Sequence, residues 1–173
     1  ILILLFTLYG CAESTYLNKY PTNIKYLNEA LTWDHIDGAI GYRLMFDEDN
    51  IYEVTGNYFD ASIIKNGTYE VTIQTILDPT DSNYSPVYSF TIDRVYPTIN
   101  HIEITGSILT WTNIPSAVSY TIYAGDKQVS SNTNYILLYD LYLDEFETYD
   151  IYVVAVFRSG DTSSPSATVR YTT

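Results

Sequence analysis

Hydrophobic and polar side chains alternate along most of the chain, most clearly in residues 42–47, 69–75, 120–124 and 149–157. A period of two places alternate side chains on opposite faces of a β-strand. Turn-forming residues lie between the alternating segments, and no stretch has a convincing period of 3.6 residues. The pattern predicts short strands. Residues 139–146 are the least regular and form either one helical turn or a long loop.

A repeat of about 78 residues organises the chain. Residues 31–42 and 109–120 are identical at six of twelve positions: Leu31/Leu109, Thr32/Thr110, Trp33/Trp111, Ile36/Ile114, Ala39/Ala117 and Tyr42/Tyr120. The Ser85-Pro86 pair also has a counterpart, Ser164-Pro165. Repeats of this kind indicate duplicated structural units. We therefore predict two domains, at residues 20–94 and 95–173.

Both units resemble fibronectin type III domains. Trp33 and Trp111 end the second predicted strand, and Tyr69 and Tyr149 begin the sixth, where the family has its tyrosine corner. The Cys-Trp-Cys pattern of immunoglobulin domains is absent from the sequence. The resemblance implies an all-β fold of two tandem antiparallel β-sandwiches with immunoglobulin-like architecture, seven short strands in each, and one Trp within each core.

The beginning of the sequence predicts a location. Residues 1–9 are apolar and uncharged, too few to span a bilayer as a helix, and Gly10 and Cys11 follow. This arrangement resembles a bacterial lipobox, in which the Cys receives a diacylglycerol. Residues 1–10 are thus interpreted as a truncated lipoprotein signal peptide and residues 11–19 as a lipidated tether. The alternative is a buried first strand with an ordinary core Cys.

Charge and cysteine content exclude several classes of function. The net charge of −13 opposes binding to nucleic acid and electrostatic docking on anionic lipid. One Cys permits neither a disulfide within the chain nor a zinc site with several Cys ligands.

Candidate catalytic and metal-binding residues are few. His35 and His101 lie at different places in the repeat without a recognisable partner motif. The acidic residues fall into two groups, residues 47–50 and the four carboxylates Asp140, Asp144, Glu145 and Glu147. Neither group has the spacing of a calcium-binding EF-hand loop, and solvated turns are the simpler interpretation. We expect no catalytic residue, no metal and no cofactor.

Tyrosine is unusually frequent, with 19 residues. Some positions belong to the predicted cores, but Tyr139 and Tyr142 fall in the irregular segment. Exposed aromatic rings stack on sugars or anchor protein interfaces, so these two are the candidate binding residues. The alternative is a compositional bias that places Tyr freely on the surface.

Together these observations predict an extracytoplasmic protein of the bacterial cell envelope, attached to the membrane through a lipid. Its predicted role is a non-catalytic adhesion, protein-binding or spacer module with a protein or glycan ligand. The alternative is a carbohydrate-binding or spacer fragment of a longer secreted carbohydrate-active enzyme.

Overall fold

The computed structural model describes residues 19–78 and 80–173, and these form two compact units. The first unit contains the described residues up to Ala61 together with Thr68–Thr91, and the second contains Ser62–Gly67 and Ile92–Thr173. The strands of the first sandwich are β1 (Lys25–Leu27), β2 (Ala30–Thr32), β3 (Gly41–Met45), β4 (Ile51–Val54), β5 (Tyr58–Asp60), β6 (Gly67–Ile76) and β7 (Tyr88–Ile92). A 3₁₀ turn, Ala61–Ile63, lies between β5 and β6.

The second sandwich repeats this order of elements. Its strands are β8 (Ile102–Thr105), β9 (Ile108–Trp111), β10 (Ala117–Ala124), β11 (Lys127–Ser131), β12 (Tyr135–Leu137), β13 (Thr148–Phe157) and β14 (Val169–Thr172). A second 3₁₀ turn, Leu138–Leu141, follows β12. The irregular segment therefore starts with a single helical turn, one residue earlier than the sequence suggested, and continues as a loop.

Each unit pairs a sheet of three strands with a sheet of four. The strand orders are β1-β2-β5 and β4-β3-β6-β7 in the first unit, and β8-β9-β12 and β11-β10-β13-β14 in the second. The strands within the sheets run antiparallel. This topology confirms the prediction of two all-β sandwiches of the fibronectin type III kind, with seven strands each among the described residues.

Equivalent tryptophans fill the two cores. Trp33 and Trp111 are each 3% exposed. Each indole packs edge-on against a tyrosine of the facing sheet, with ring centroids 5.2 Å apart for Trp33 and Tyr42 and 5.3 Å apart for Trp111 and Tyr120. The prediction that each unit encloses its own Trp is confirmed.

The hydroxyls of these core tyrosines close the preceding turns. The backbone N–H of Ile36 donates to the Tyr42 hydroxyl at 2.9 Å, and the N–H of Ile114 donates to the Tyr120 hydroxyl at 2.7 Å. A buried Tyr hydroxyl usually requires such a partner. In both units this tyrosine is therefore held in place by a hydrogen bond as well as by ring packing.

The two predicted corner tyrosines, Tyr69 and Tyr149, lie in different surroundings. Tyr149 is buried, and its hydroxyl accepts a hydrogen bond from the backbone N–H of Asp144, five residues upstream, at 3.1 Å. This contact is the expected corner. Tyr69 is partly buried and packs its ring against Phe46 and Phe90, with centroids 6.1 and 5.8 Å away.

Two pairs of buried serines extend the hydrogen bonding of the longest strands. In the second unit, Ser163 and Ser166 each donate their backbone N–H to β13, at Ala155 and Val153 respectively, and accept the N–H of the same residue on Oγ. All four distances are 2.9–3.0 Å. We call each such pair of bonds a serine bridge. The serine hydroxyl accepts the N–H that the carbonyl of a neighbouring strand would otherwise accept. The backbone of β13 is therefore hydrogen-bonded beyond the end of its pairing with β14.

The first unit has the same two serine bridges. Ser82 exchanges these bonds with Thr75, and Ser85 exchanges them with Ile73. By this criterion Ser85 is equivalent to Ser166. The sequence match of Ser85-Pro86 with Ser164-Pro165 is therefore out of register. Ser164 is exposed, and its carbonyl oxygen accepts a hydrogen bond from the Ser163 hydroxyl at 2.8 Å.

Candidate functional site

The two candidate tyrosines line one groove of the second unit. The groove has a volume of about 370 Å³ and lies between the 3₁₀ turn after β12 and the end of β14; its lining is Ser107, Leu138, Tyr139, Tyr142, Leu143, Tyr171 and Thr173. Tyr139 is 72% exposed and Tyr142 is 75% exposed. Their rings are thus available to a ligand, and a third tyrosine, Tyr171, shares the surface.

Buried leucines hold the 3₁₀ turn so that its tyrosines face solvent. Leu138 and Leu141 lie within the core of the second unit. The N–H of Leu138 donates to the carbonyl of Ser107 at 2.9 Å, and the N–H of Tyr142 donates to the carbonyl of Tyr139 at 3.2 Å. Side chains three residues apart on a 3₁₀ turn lie on the same face. Burial of Leu138 and Leu141 on one face therefore leaves Tyr139 and Tyr142 together on an outward face.

The loop that follows is strained and displays a further aromatic ring. Tyr142 has φ 54° and Phe146 has φ 64°, a left-handed conformation that is unfavourable for bulky side chains. Phe146 is 89% exposed. Backbone strain of this kind persists where the surroundings fix it and is concentrated at functional sites. The sequence did not single out Phe146, although it lies at the end of the segment identified as irregular.

Hydrogen bonds fix the end of this loop. The Tyr149 hydroxyl donates to Asp144 Oδ2 at 3.2 Å, and the Thr173 hydroxyl donates to the Asp144 carbonyl at 2.8 Å. The Glu147 N–H donates to the Thr173 hydroxyl at 3.1 Å. The exposed rings are therefore carried by a loop with defined attachments to β13 and β14.

Carboxylates surround the aromatic positions along the loop. Asp140 lies between the two groove tyrosines in sequence, and Asp144, Glu145 and Glu147 follow, whereas residues 138–147 contain no Lys or Arg. Lys127 on β11 places its Nζ 3.4 Å from Asp144 Oδ2. One of the four negative charges is thus partly offset by an ion pair, which is weak at such an exposed position.

The corresponding turn after β5 lacks these features. It runs from Ala61 to Ile63, and only three residues separate it from β6. These three residues are Ile64, Lys65 and Asn66, so neither an aromatic ring nor a carboxylate is present. The groove is a departure from the repeat. Features that differ between copies of a scaffold are candidates for function, since the shared features are explained by folding.

The first unit has a groove of another kind. It has a volume of about 330 Å³ and is lined by Tyr20, Pro21, Thr22, Asn23, Ile24, Pro86, Val87 and Tyr88. The Tyr88 hydroxyl already accepts the backbone N–H of Tyr26 at 3.0 Å. The lining of this groove has one strongly exposed large apolar side chain, Val87, and its two tyrosines, Tyr20 and Tyr88, are only partly exposed. It offers less recognition chemistry than the groove of the second unit.

The acidic turn at residues 47–50 is a self-contained structure. Asp47 accepts hydrogen bonds from the backbone N–H groups of Asp49 and Asn50, at 3.0 and 2.7 Å, and from the Asn50 side chain. The bonds from Asn50 lower the pKa of Asp47 below its usual value. A carboxylate that caps its own turn fits the interpretation as a solvated hairpin turn.

The two histidines are exposed, and neither belongs to the groove lining. His35 lies 4.0 Å from Asp37, and His101 lies 3.3 Å from Glu103. Among residues 19–78 and 80–173, no group of three His, Cys, Asp or Glu side chains is arranged to hold a metal ion. The same part of the chain contains no helix long and apolar enough to cross a membrane. Cys11 and the predicted signal peptide lie outside the described residues.

The known proteins to which this chain is similar are solved structures. No family model and no curated protein matches the chain. Similar solved structures include the FN1–FN3 domains of chicken CNTN1, with 18% identity and TM-score 0.37. A segment of two fibronectin type III domains from chicken tenascin has 12% identity and the same TM-score.

The alignments are long even though the identities are low. They cover 87% and 88% of this chain, and they span 65% of the CNTN1 structure and 99% of the tenascin segment. Both named structures are tandem arrays of fibronectin type III domains. The assignment of the fold here rests on the strand order and core of each unit.

Proposed function

We propose that this protein is a lipid-anchored, non-catalytic binding module of the bacterial cell envelope. Its second sandwich would present the groove with Tyr139 and Tyr142 to a ligand outside the cytoplasm. The observation that carries the binding role is the exposure of both rings in one groove on a loop with defined attachments. Flat aromatic residues give large contact area at low cost in conformational entropy, which suits a binding surface.

The proposed anchor is supported by the sequence of the first eleven residues. An apolar run is followed at once by Gly10 and the single Cys of the chain, Cys11. Residues 11–19 would form the tether. Stable attachment requires two or more acyl chains, as a diacylglycerol supplies, because a single chain binds membranes weakly.

The binding role predicts the behaviour of the Tyr139→Ala plus Tyr142→Ala variant. The wild-type protein is tested on a glycan array and on a peptide array, and each ligand found is tested against the variant. We expect the affinity of the variant to fall at least tenfold, because it loses two aromatic contacts that would be buried in the complex. The control is Tyr135→Ala, which removes a ring that is 51% exposed on β12 and outside the groove lining.

A second variant separates binding from folding. Tyr142→Gly removes the ring and relieves the left-handed strain at φ 54°, so its stability should not fall while its binding does. Thermal unfolding and affinity are measured on the same samples. No ligand on either array, or unchanged binding by the double variant, would show that the groove is not the binding surface.

The proposed anchor predicts that Cys11 carries lipid. The chain is expressed in a bacterial host behind a methionine and a basic start, and cells are labelled with an alkyne fatty acid. We expect label on the wild type and none on Cys11→Ser, which keeps a small polar side chain but has no thiol. Label on the Ser variant, or unlabelled wild type, would refute lipidation at this position.

A further inference from the structure

The groove of the second unit combines exposed rings with a loop of one charge sign. Tyr139 and Tyr142 line the groove, and the turn and loop that carry them contain four carboxylates and no basic residue. The carboxylates lie outside the groove lining, and one of them, Asp144, is paired with Lys127 of β11. The remainder of the chain is also acidic, as the net charge of −13 shows. A ligand for this surface must tolerate, and preferably use, negative potential beside aromatic faces.

We propose that the groove binds an arginine-rich segment of a protein partner. This proposal rests on the binding role assigned to the groove above and specifies its ligand. The guanidinium groups would lie over the Tyr139 and Tyr142 rings and pair with Asp140, Glu145 and Glu147 of the same turn and loop. Charge complementarity is the argument for this occupant.

Two interactions favour a cation over a neutral ligand. A cation within about 6 Å of an aromatic centroid is attracted by the ring. Carboxylates on the same turn and loop add attraction and raise the rate of encounter with a basic partner. A neutral sugar could stack on the same rings, but it would gain nothing from the charges of Asp140, Glu145 and Glu147.

Arginine fits the surface better than lysine does. Its guanidinium is planar, stacks on aromatic faces and pairs with carboxylates through two parallel hydrogen bonds. The lysine ammonium is a compact, strongly hydrated charge and lacks this planar face. A preference for arginine at equal charge therefore distinguishes recognition by the groove from simple attraction to an acidic protein.

The experiment measures binding of two fluorescent peptides, octa-arginine and octalysine, by anisotropy at low salt and at about 0.15 M salt. Wild type is compared with Tyr139→Ala plus Tyr142→Ala and with Glu145→Gln plus Glu147→Gln. The matched charge control is Glu48→Gln plus Asp49→Asn, which removes two carboxylates from the acidic turn of the first unit. A neutral β-linked glucan oligosaccharide is tested in parallel.

Octa-arginine should bind several-fold more tightly than octalysine, and the tyrosine variant should lose about tenfold of the octa-arginine affinity. The Glu145/Glu147 variant should bind several-fold more weakly and depend less on salt, whereas the Glu48/Asp49 variant should change little. Equal affinity for both peptides, or equal effects of the two charge variants, would overturn the proposal in favour of general charge attraction.

The failure of this proposal can be separated from failure of the binding role. If the oligosaccharide binds the wild type but not the tyrosine variant, and octa-arginine does not bind, the groove is a binding surface for glycans and the arginine proposal is wrong. If the tyrosine variant binds every probe as the wild type does, both proposals are wrong. Tyr142→Gly repeats the test in a variant whose backbone strain is relieved.

Discussion

Replacing Trp111 with alanine should lower the free energy of unfolding of the second unit by about 3–5 kcal/mol. The indole is 3% exposed and lies against Tyr120, so its removal leaves a cavity between the two sheets. The total free energy of unfolding of a small domain is only about 5–15 kcal/mol. Trp111→Phe should cost clearly less, because the buried indole nitrogen of Trp111 has no hydrogen-bond partner to lose.

The two tryptophans make the measurement selective. In the Trp111→Ala variant, fluorescence of Trp33 follows the first unit, while hydrogen exchange of β10 and β13 amides follows the second. In the Trp33→Ala variant, the fluorescence of Trp111 follows the second unit and hydrogen exchange follows the first. The free energy of unfolding of the first unit should fall by a similar amount. A loss below about 1 kcal/mol in either unit would contradict the equivalence of the two cores.

Removing the serine bridges of the second unit should also be strongly destabilising. Ser163→Ala leaves the buried N–H of Ala155 and the carbonyl of Ser164 without the hydroxyl, and Ser166→Ala does the same to Val153 and Ala167. An unsatisfied buried polar group costs about 1–3 kcal/mol. Each variant is therefore expected to lose about that amount, measured by urea unfolding.

The sequence provides a close control for this experiment. Ser164 is a neighbouring serine whose side chain is exposed, so Ser164→Ala should change stability by less than about 0.5 kcal/mol. Hydrogen exchange should show faster exchange at Ala155 in Ser163→Ala and at Val153 in Ser166→Ala. If Ser164→Ala were as destabilising as the other two, the hydroxyl contacts would not explain the effect.

Period-two alternation and the repeat were sufficient to predict the sandwiches. The spacing of Trp33 and Trp111 within identical surroundings placed both rings at equivalent core positions, because burial of a large apolar side chain is set by strand alternation. The corner at Tyr149 was predicted from the resemblance to fibronectin type III domains. Its hydrogen bond to the Asp144 backbone confirms the corner.

Other features depend on tertiary contacts that a sequence does not display. The Ser-Pro match suggested Ser164 as the counterpart of Ser85, whereas hydrogen bonding selects Ser166, and a difference of two residues in an irregular segment leaves no periodic signal. Positive φ at Tyr142 and Phe146 was also not predictable, since Gly or Asn usually marks such positions. The sequence predicted Tyr139 and Tyr142 as candidate binding residues, and the structure places both in one groove.

The serine bridges have a consequence for self-association. An unpaired strand flank exposes a row of amide donors and carbonyl acceptors that can recruit a strand from another molecule, which is a common route to amyloid. At Ile73, Thr75, Val153 and Ala155 these amides are already occupied by hydroxyls. Side-chain oxygens cannot propagate a backbone ladder, so each long strand is closed to foreign partners at this end.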